Sequence, residues 1–510
     1  MTHADRSGQR LAAGAFALSL VSGCGLLPKE KPVAPPLPAQ WASAAQPALS
    51  AQSPVEWWNG FADPTLKALT AEGLAENIDV RQALLRVREA RANNRVSVAR
   101  YLPSIEAAGQ APYTSVLVGP PLPGSFQGFI EGGGGQFITE QSQQFATYGP
   151  RLSWEVPLFG LIPLSVKGVK LNKGVAIDDV RAAQIVLVGD IANSYLDLRA
   201  AQNRLVVLQE SLAVAEQVAQ VLERSVDGGF TAPADAADAR RQAEITRTRL
   251  PDANVAVYAA KANLAILRGR APGTESPELA QALDQLTPIP SLAYEGAPSA
   301  PADLLRLRPD VARAERQALL AAVEVGVARH ELLPKLTFTG NVGFASNIIG
   351  TALPGQTGQL QLTPFLTVPL FDWGAKWAGA QQKKAAFLGV LLEYRDTANR
   401  AFAEADRALV DLEQARLRLN AAKAAEAGAQ AFASGARAAF DVGVRSLRER
   451  LQAEQLLLEA KLSRIEAEAS QARASVSVYR AFAGALTPPP APDAANAQTA
   501  ISGPLSERAS

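Results

Sequence analysis

The segment Leu336-Thr337-Phe338-Thr339-Gly340-Asn341-Val342-Gly343-Phe344 puts Leu336, Phe338, Val342 and Phe344 on one parity and Thr337, Thr339, Asn341 and Gly343 on the other. Side chains of a strand alternate between its faces, so this stretch reads as a β-strand with one apolar and one polar face. The pattern recurs in Leu360 to Val368, where Leu360, Leu362, Leu366 and Val368 oppose Gln361, Thr363 and Thr367, with Phe365 the exception. It recurs again where Leu152, Trp154, Val156 and Leu158 oppose Arg151, Ser153 and Glu155. Strands are therefore expected at about 104–116, 145–158, 336–346 and 360–370. Four strands packed on a helix layer would make a thin sheet with two long edges. A membrane barrel, apolar side to lipid and polar side to a lumen, accounts for the faces better. Four strands cannot close around a pore, so several chains must contribute.

On either side of these strands the chain repeats its punctuation. Ala99-Arg100-Tyr101-Leu102-Pro103 leads to Trp154-Glu155-Val156-Pro157-Leu158-Phe159-Gly160 and then to Val226-Asp227-Gly228-Gly229-Phe230. Later, Ala328-Arg329-His330-Glu331-Leu332-Leu333-Pro334 leads to Val368-Pro369-Leu370-Phe371-Asp372 and then to Phe440-Asp441-Val442-Gly443-Val444. Phe159 to Gly229 spans 70 positions and Phe371 to Gly443 spans 72. Each half reads as helix, two strands, long helix, returning helix. The first helix runs from Asp63-Pro64, as N-cap and N1, to about residue 100, and its counterpart spans about 303–332. Long helices are expected at about 164–226 and 375–439, returning helices at about 233–269 and 445–484. Sixty-odd helical residues span roughly 90–100 Å, enough to cross a wide aqueous compartment. Glycine-rich runs at 117–144 and 347–358 lack the strand-to-helix context and Lys-Ser/Thr of a phosphate loop, and read as external loops.

The N-terminus reads as an address. Arg6 and Arg10 precede an 11-residue apolar run, Leu11 to Val21, too short to span a bilayer and suited to a signal peptide. Val21-Ser22-Gly23-Cys24 resembles a bacterial lipobox, which makes Cys24 the lipid attachment site; Gly25 rather than Asp after it implies sorting to the outer membrane. The Pro-rich stretch Pro28 to Pro54 is a spacer. No later stretch reaches 18 uninterrupted apolar residues, so a membrane crossing would have to be a barrel.

Composition closes other routes. In 510 residues, 50 Lys+Arg face 49 Asp+Glu, which removes an overall electrostatic case for nucleic acid. One Cys and two His exclude a disulfide framework and Cys- or His-rich metal centres, so no cofactor or metal is expected. Ser-His-Asp catalysis would have to use His330, which sits beside a helix-ending Leu-Leu-Pro with no Gly-x-Ser-x-Gly partner. An enzyme is the weakest option. A structural coiled-coil lipoprotein would leave the two-faced strands unexplained.

The order Trp57-Trp58, Phe61-Ala62-Asp63-Pro64, Arg88-Glu89-Ala90-Arg91-Ala92, Ser153 to Gly160, Leu307-Arg308-Pro309-Asp310-Val311 and Val368-Pro369-Leu370-Phe371 resembles the TolC/OprM-like outer membrane factors, in particular NodT-type lipoproteins. The resemblance implies an α+β membrane protein: a homotrimer whose twelve-stranded barrel, four strands per chain, continues into a long periplasmic helical barrel. It implies an exit duct for drugs or other small toxic compounds, working with a periplasmic adaptor and an inner-membrane pump, often of the resistance-nodulation-division type. The outer-membrane end of a type I protein secretion system is the alternative within the same fold. Domains are then expected as signal peptide 1–23, lipidated linker 24–60, first repeat 61–270, linker 271–300, second repeat 301–486 and disordered tail 487–510. Pro157 stands where the family usually has Asp, and Leu161-Ile162-Pro163 where Arg commonly follows Phe-Gly.

The family tunnel narrows near the second hairpin. Aligning on Gly443-Val444 brings Asp441, Arg445, Arg448, Gln452 and Gln455 to that tip, with Asp227 at the first. Gln452 replaces a usual Asp and Arg448 a usual Leu. Three copies of Arg448 around an axis would form a cationic ring that needs carboxylates to close, with Glu449, Glu454 and Asp441 as candidates.

Overall fold

A computed structural model describes residues 38, 54–110, 113–114, 143–144, 146–292, 308–346 and 358–482. Its elements are a short 3-10 helix, Pro54–Phe61, then α1 Pro64–Glu76, α2 Ile78–Ala99, β1 Ser104–Gln110, β2 Tyr113–Thr114, β3 Gln143–Gln144, β4 Ala146–Val156, α3 Leu161–Asp227 and α4 Pro233–Leu267. There follow α5 Pro277–Asp284, α6 Pro309–His330, β5 Lys335–Ser346, β6 Gly358–Thr367, α7 Ala375–Asp441 and α8 Leu447–Phe482. They form two compact units. One contains the described residues within 91–171 and 319–388; the other contains those within 54–90, 172–318 and 389–482.

The first unit holds an antiparallel sheet of order β1-β4-β5-β6. Its register pairs apolar with apolar: Ile105 with Leu152, Trp154 with Phe338, Val156 with Leu336, and Leu336 in turn with Leu366. The polar parity pairs Glu106 with Arg151, Ser153 with Thr339, and Asn341 with Gln361. Trp154 and Phe338 stack with centroids 6.0 Å apart, and the Trp154 indole donates to the Tyr101 carbonyl at 3.0 Å. Among the described residues β2 pairs only with β3, so the strand expected at 104–116 continues as a separate two-residue ladder. β6 stops at Thr367, short of the expected 370.

Both strand-to-helix junctions enter the left-handed region twice in succession: Phe159 (φ 53) and Gly160 (φ 80), Trp373 (φ 55) and Gly374 (φ 80). This corrects the alignment by punctuation. The backbone counterpart of Phe159 is Trp373 rather than Phe371, and Trp373 to Gly443 spans 70 positions, as Phe159 to Gly229 does. α3 and α7 are each 67 residues long, and α2 and α6 each 22. His330 is the last residue of α6; its Nε2–H donates to the Leu158 carbonyl at 2.8 Å. That hydrogen bond is structural, in keeping with a helix-end role.

In the helical unit, Trp57, Trp58 and Phe61 are buried with Leu66, Leu69, Ile191, Tyr195 and Leu196, and Trp57 stacks on Tyr479 at 5.2 Å. α3 includes one window long and apolar enough by composition to cross a membrane. Ile185, Leu187, Val188 and Ile191 of α3 pack into this core.

Two expectations change and one lies partly outside the described residues. The helix expected from 64 to 100 is two helices, because Asn77 turns the chain: its Oδ1 accepts from the Asp79 and Val80 amides at 2.9 and 3.1 Å, and its Nδ2 donates to the Leu267 carbonyl at 2.8 Å. Apolar spacing ran unbroken from Leu74 to Ile78 and hid the cap. The helix expected at 303–332 is described only from Pro309, and 301–307 lie outside the described residues. The expected linker 271–300 contains α5, capped by Ser276 and opened by Pro277. Cys24, the signal segment, most of both glycine-rich loops and the tail also lie outside the described residues.

Candidate functional site

The sheet offers one functional surface. Ile105, Leu360, Leu362 and Leu366 are 59–78% exposed on its apolar parity. An apolar face this open has no solvent-facing rationale and suits hydrocarbon. β1 and β6 are edge strands, each with one unpaired side among the described residues.

The hairpin ends are the second. α3 ends in a Schellman turn: Gly229 N–H donates to the Val226 carbonyl at 2.9 Å and Phe230 N–H to Ser225 at 2.8 Å, with Gly229 at φ 73. α7 ends identically, Gly443 N–H to Phe440 at 2.9 Å and Val444 N–H to Ala439 at 2.8 Å, with Gly443 at φ 74. A side chain at either glycine would be strained, because left-handed backbone crowds a Cβ. Phe230, Val442 and Val444 project from these turns at 89%, 74% and 78% exposure.

The returning helices start differently. α4 begins with Ala232-Pro233 and has no side-chain cap. α8 begins with a capping box: Glu449 N–H donates to Ser446 Oγ at 3.3 Å, while Ser446 N–H and Oγ–H donate to Glu449 Oε2 at 2.8 and 2.9 Å. The backbone hydrogen bond from Ser446, then its hydroxyl, hold the Glu449 carboxyl below the usual range.

Each predicted tip residue can be located on this frame. Asp227 is the exposed last residue of α3 and Asp441 that of α7. The Arg445 guanidinium lies 5.6 Å over the Phe432 ring, and that of Arg450 5.4 Å over Phe440. Arg448, Gln452 and Gln455 lie on α8, the first two exposed and Gln455 half-buried. Two of the three carboxylates expected to compensate Arg448 are engaged elsewhere within the chain: Glu449 in the cap, Glu454 with Arg450 at 3.3 Å.

Two buried arginines at the hairpin roots were not identified as functional by sequence reasoning. Arg199, 1% exposed, donates to the Gln285 and Ala282 carbonyls at 2.6 and 3.0 Å, to Gln202 Oε1 at 2.9 Å and to the Tyr195 hydroxyl at 2.9 Å. It therefore docks the end of α5 on α3. Burial pushes the Tyr195 phenol up to about 12, helped by its hydrogen bond to Asp63. The signal was present: Arg199 continues the apolar face of Val188, Ile191, Ala192 and Tyr195 at helical spacing. Arg308, of the Arg-Pro-Asp segment, forks onto Asp310 at 2.8 and 3.1 Å, reaches Glu404 at 2.7 Å and donates to the Ala481 carbonyl at 2.8 Å near the end of α8. Burial raises the Asp310 carboxyl, but the Arg308 hydrogen bonds and charge outweigh it and hold the group below its ordinary value.

A two-faced open sheet and paired long hairpins define a membrane duct rather than a catalytic pocket, and the chain belongs to the outer membrane efflux protein family, which it matches over residues 69–270 and 300–484. It is 26% identical to nodulation protein T of Rhizobium leguminosarum bv. trifolii, over 76% of this chain and 78% of that protein. It is 29% identical to the probable efflux pump outer membrane protein TtgC of Pseudomonas putida, over 77% and 78%. Among solved structures it is similar to the outer-membrane channel OprN, with TM-score 0.76, 25% identity, and 89% of this chain and 98% of that chain covered. The family is one of channels, not enzymes.

Proposed function

We propose that this chain forms the outer-membrane exit duct of a tripartite efflux system, passively conducting drugs or other small toxic compounds outward. The observation that carries the reading is the four-stranded sheet, exposed and apolar on one face, polar on the other, and unpaired at both edges. Three copies supply twelve strands, close the barrel and place the polar face on a lumen. Matched lengths of α3 with α7 and α2 with α6 support two structural repeats per chain. Cys24 carries the lipid anchor, and the hairpin ends face a periplasmic adaptor coupled to an inner-membrane pump of the resistance-nodulation-division type.

At the second tip, Arg448 lines the narrow end, with Asp441, Arg445, Gln452 and Gln455 around it and Asp227 at the neighbouring tip. Glu449 and Glu454 already have partners within their own chain, so closure of an Arg448 ring draws on Asp441. Expression in a host lacking its own exit duct should restore tolerance to expelled dyes and antibiotics. Correct delivery to the outer membrane without restored tolerance contradicts the reading. Arg448→Ala is expected to raise leakage of an added antibiotic through the delivered protein; unchanged conductance and leakage remove Arg448 from the gate.

A further inference from the structure

Within one chain, β4 pairs with β5, and this pairing brings the turn after β4 onto the helix before β5. The Phe159 ring lies 6.1 Å from the ring of His330, the last residue of α6. The two open edges carry the same parts. β6 is followed by Trp373, which has the backbone conformation of Phe159. β1 is preceded by α2, whose last residue, Ala99, stands five positions before Ser104, as His330 stands five before Lys335. Yet Trp373 is 90% exposed, its ring contact being Phe371, itself exposed, at 4.9 Å.

We propose that Trp373 of one copy seats on the Ala99–Arg100 end of α2 in the next copy, across a β6-to-β1 pairing. This rests on the multi-chain barrel above. Strands around the sheet alternate in direction, so β6 meets a second β1 antiparallel, as β4 meets β5. The sizes are complementary: inside the chain a phenyl ring meets an imidazole, whereas between copies the larger indole meets alanine. Arg100 is exposed, with no side-chain partner among the described residues, and a guanidinium over an indole is the most favourable cation–aromatic pairing. Val96, Val98 and Leu102, 39–59% exposed, add apolar area around the seat.

The test is p-benzoylphenylalanine at position 373 in the detergent-extracted full-length protein, irradiated and mapped by mass spectrometry. An adduct joining two chains, attached within residues 96–103, is expected; the same group at position 159 should link only within its chain, to the end of α6. A trimer by mass that gives no interchain adduct from position 373, or an adduct with lipid instead, overturns the proposal and leaves the duct standing. A monomer by mass overturns the barrel beneath it as well. In parallel, Trp373→Ala should lower the dissociation temperature of the trimer by roughly 5 °C, with Trp373→Phe recovering part of that. Equal stability of all three proteins contradicts the seat.

Discussion

The two helical hairpins end in the same backbone turn and are held by different chemistry. Across the α3–α4 end, Arg240 pairs with Glu223 and Arg247 with Glu216, around an apolar cluster of Ala219, Leu222, Ala236 and Ala239. Across the α7–α8 end, Arg445 and Arg450 lie over Phe432 and Phe440, around Ala433, Ala436 and Ala453, and the capping box closes the turn. The roots differ in the opposite sense. Arg199 holds the first on neutral carbonyls and side chains, whereas Arg308 holds the second through the carboxylates of Asp310 and Glu404. The first tip thus relies on exposed ion pairs that salt screens, whereas the second root relies on the Asp310 carboxylate, which acid neutralises.

Removing the neutral anchor should do the most damage. Arg199→Ala strands buried carbonyls of α5 and is expected to cost about 3–5 kcal/mol. Amide exchange over residues 277–287 should rise far more than at either tip, and an unchanged pattern would separate Arg199 from the docking of α5. The acid response comes next. Asp310 titrates below its ordinary value in the folded state, so its contribution is complete above about pH 4 and is lost as pH falls through the lower folded value. Thermal unfolding followed between pH 6 and pH 3 should show stability falling toward acid, and Asp310→Asn should reduce that dependence. A smaller effect belongs to Ser446→Ala, which is expected to speed exchange in the first turn of α8 roughly fivefold by removing the N-cap, with no change in α4. Smallest is salt: raising it to about 1 M shortens the screening length to about 3 Å and should increase exchange at the first tip twofold or less, while the aromatic contacts of the second tip hold.

The two-faced strands and the hairpin lengths were legible because each follows one period over many residues, and Asp63-Pro64 declared the start of α1 in two letters. What escaped depended on contacts between distant residues. Asn77 breaks a helix whose apolar spacing never falters, because its partner is the Leu267 carbonyl 190 positions away. Arg199 is one of many charged residues along a long helix, and the carbonyls that receive it belong to an element read as linker. Trp373 was misaligned with its neighbour Phe371 because the Pro-Leu-Phe letters repeat where the backbone does not; the left-handed pair, rather than the spelling, marks the equivalent site. The tip candidates were named by motif, but the engagement of Glu449 and Glu454 within the chain could not be read from spacing alone.

In the proposed duct, several copies of this chain close one conducting barrel. Single-channel conductance of the purified, detergent-extracted protein in planar bilayers, with its mass determined on the same sample, tests it most directly. A trimer giving discrete conductance steps is the predicted result. A monomer that inserts without conducting would contradict it.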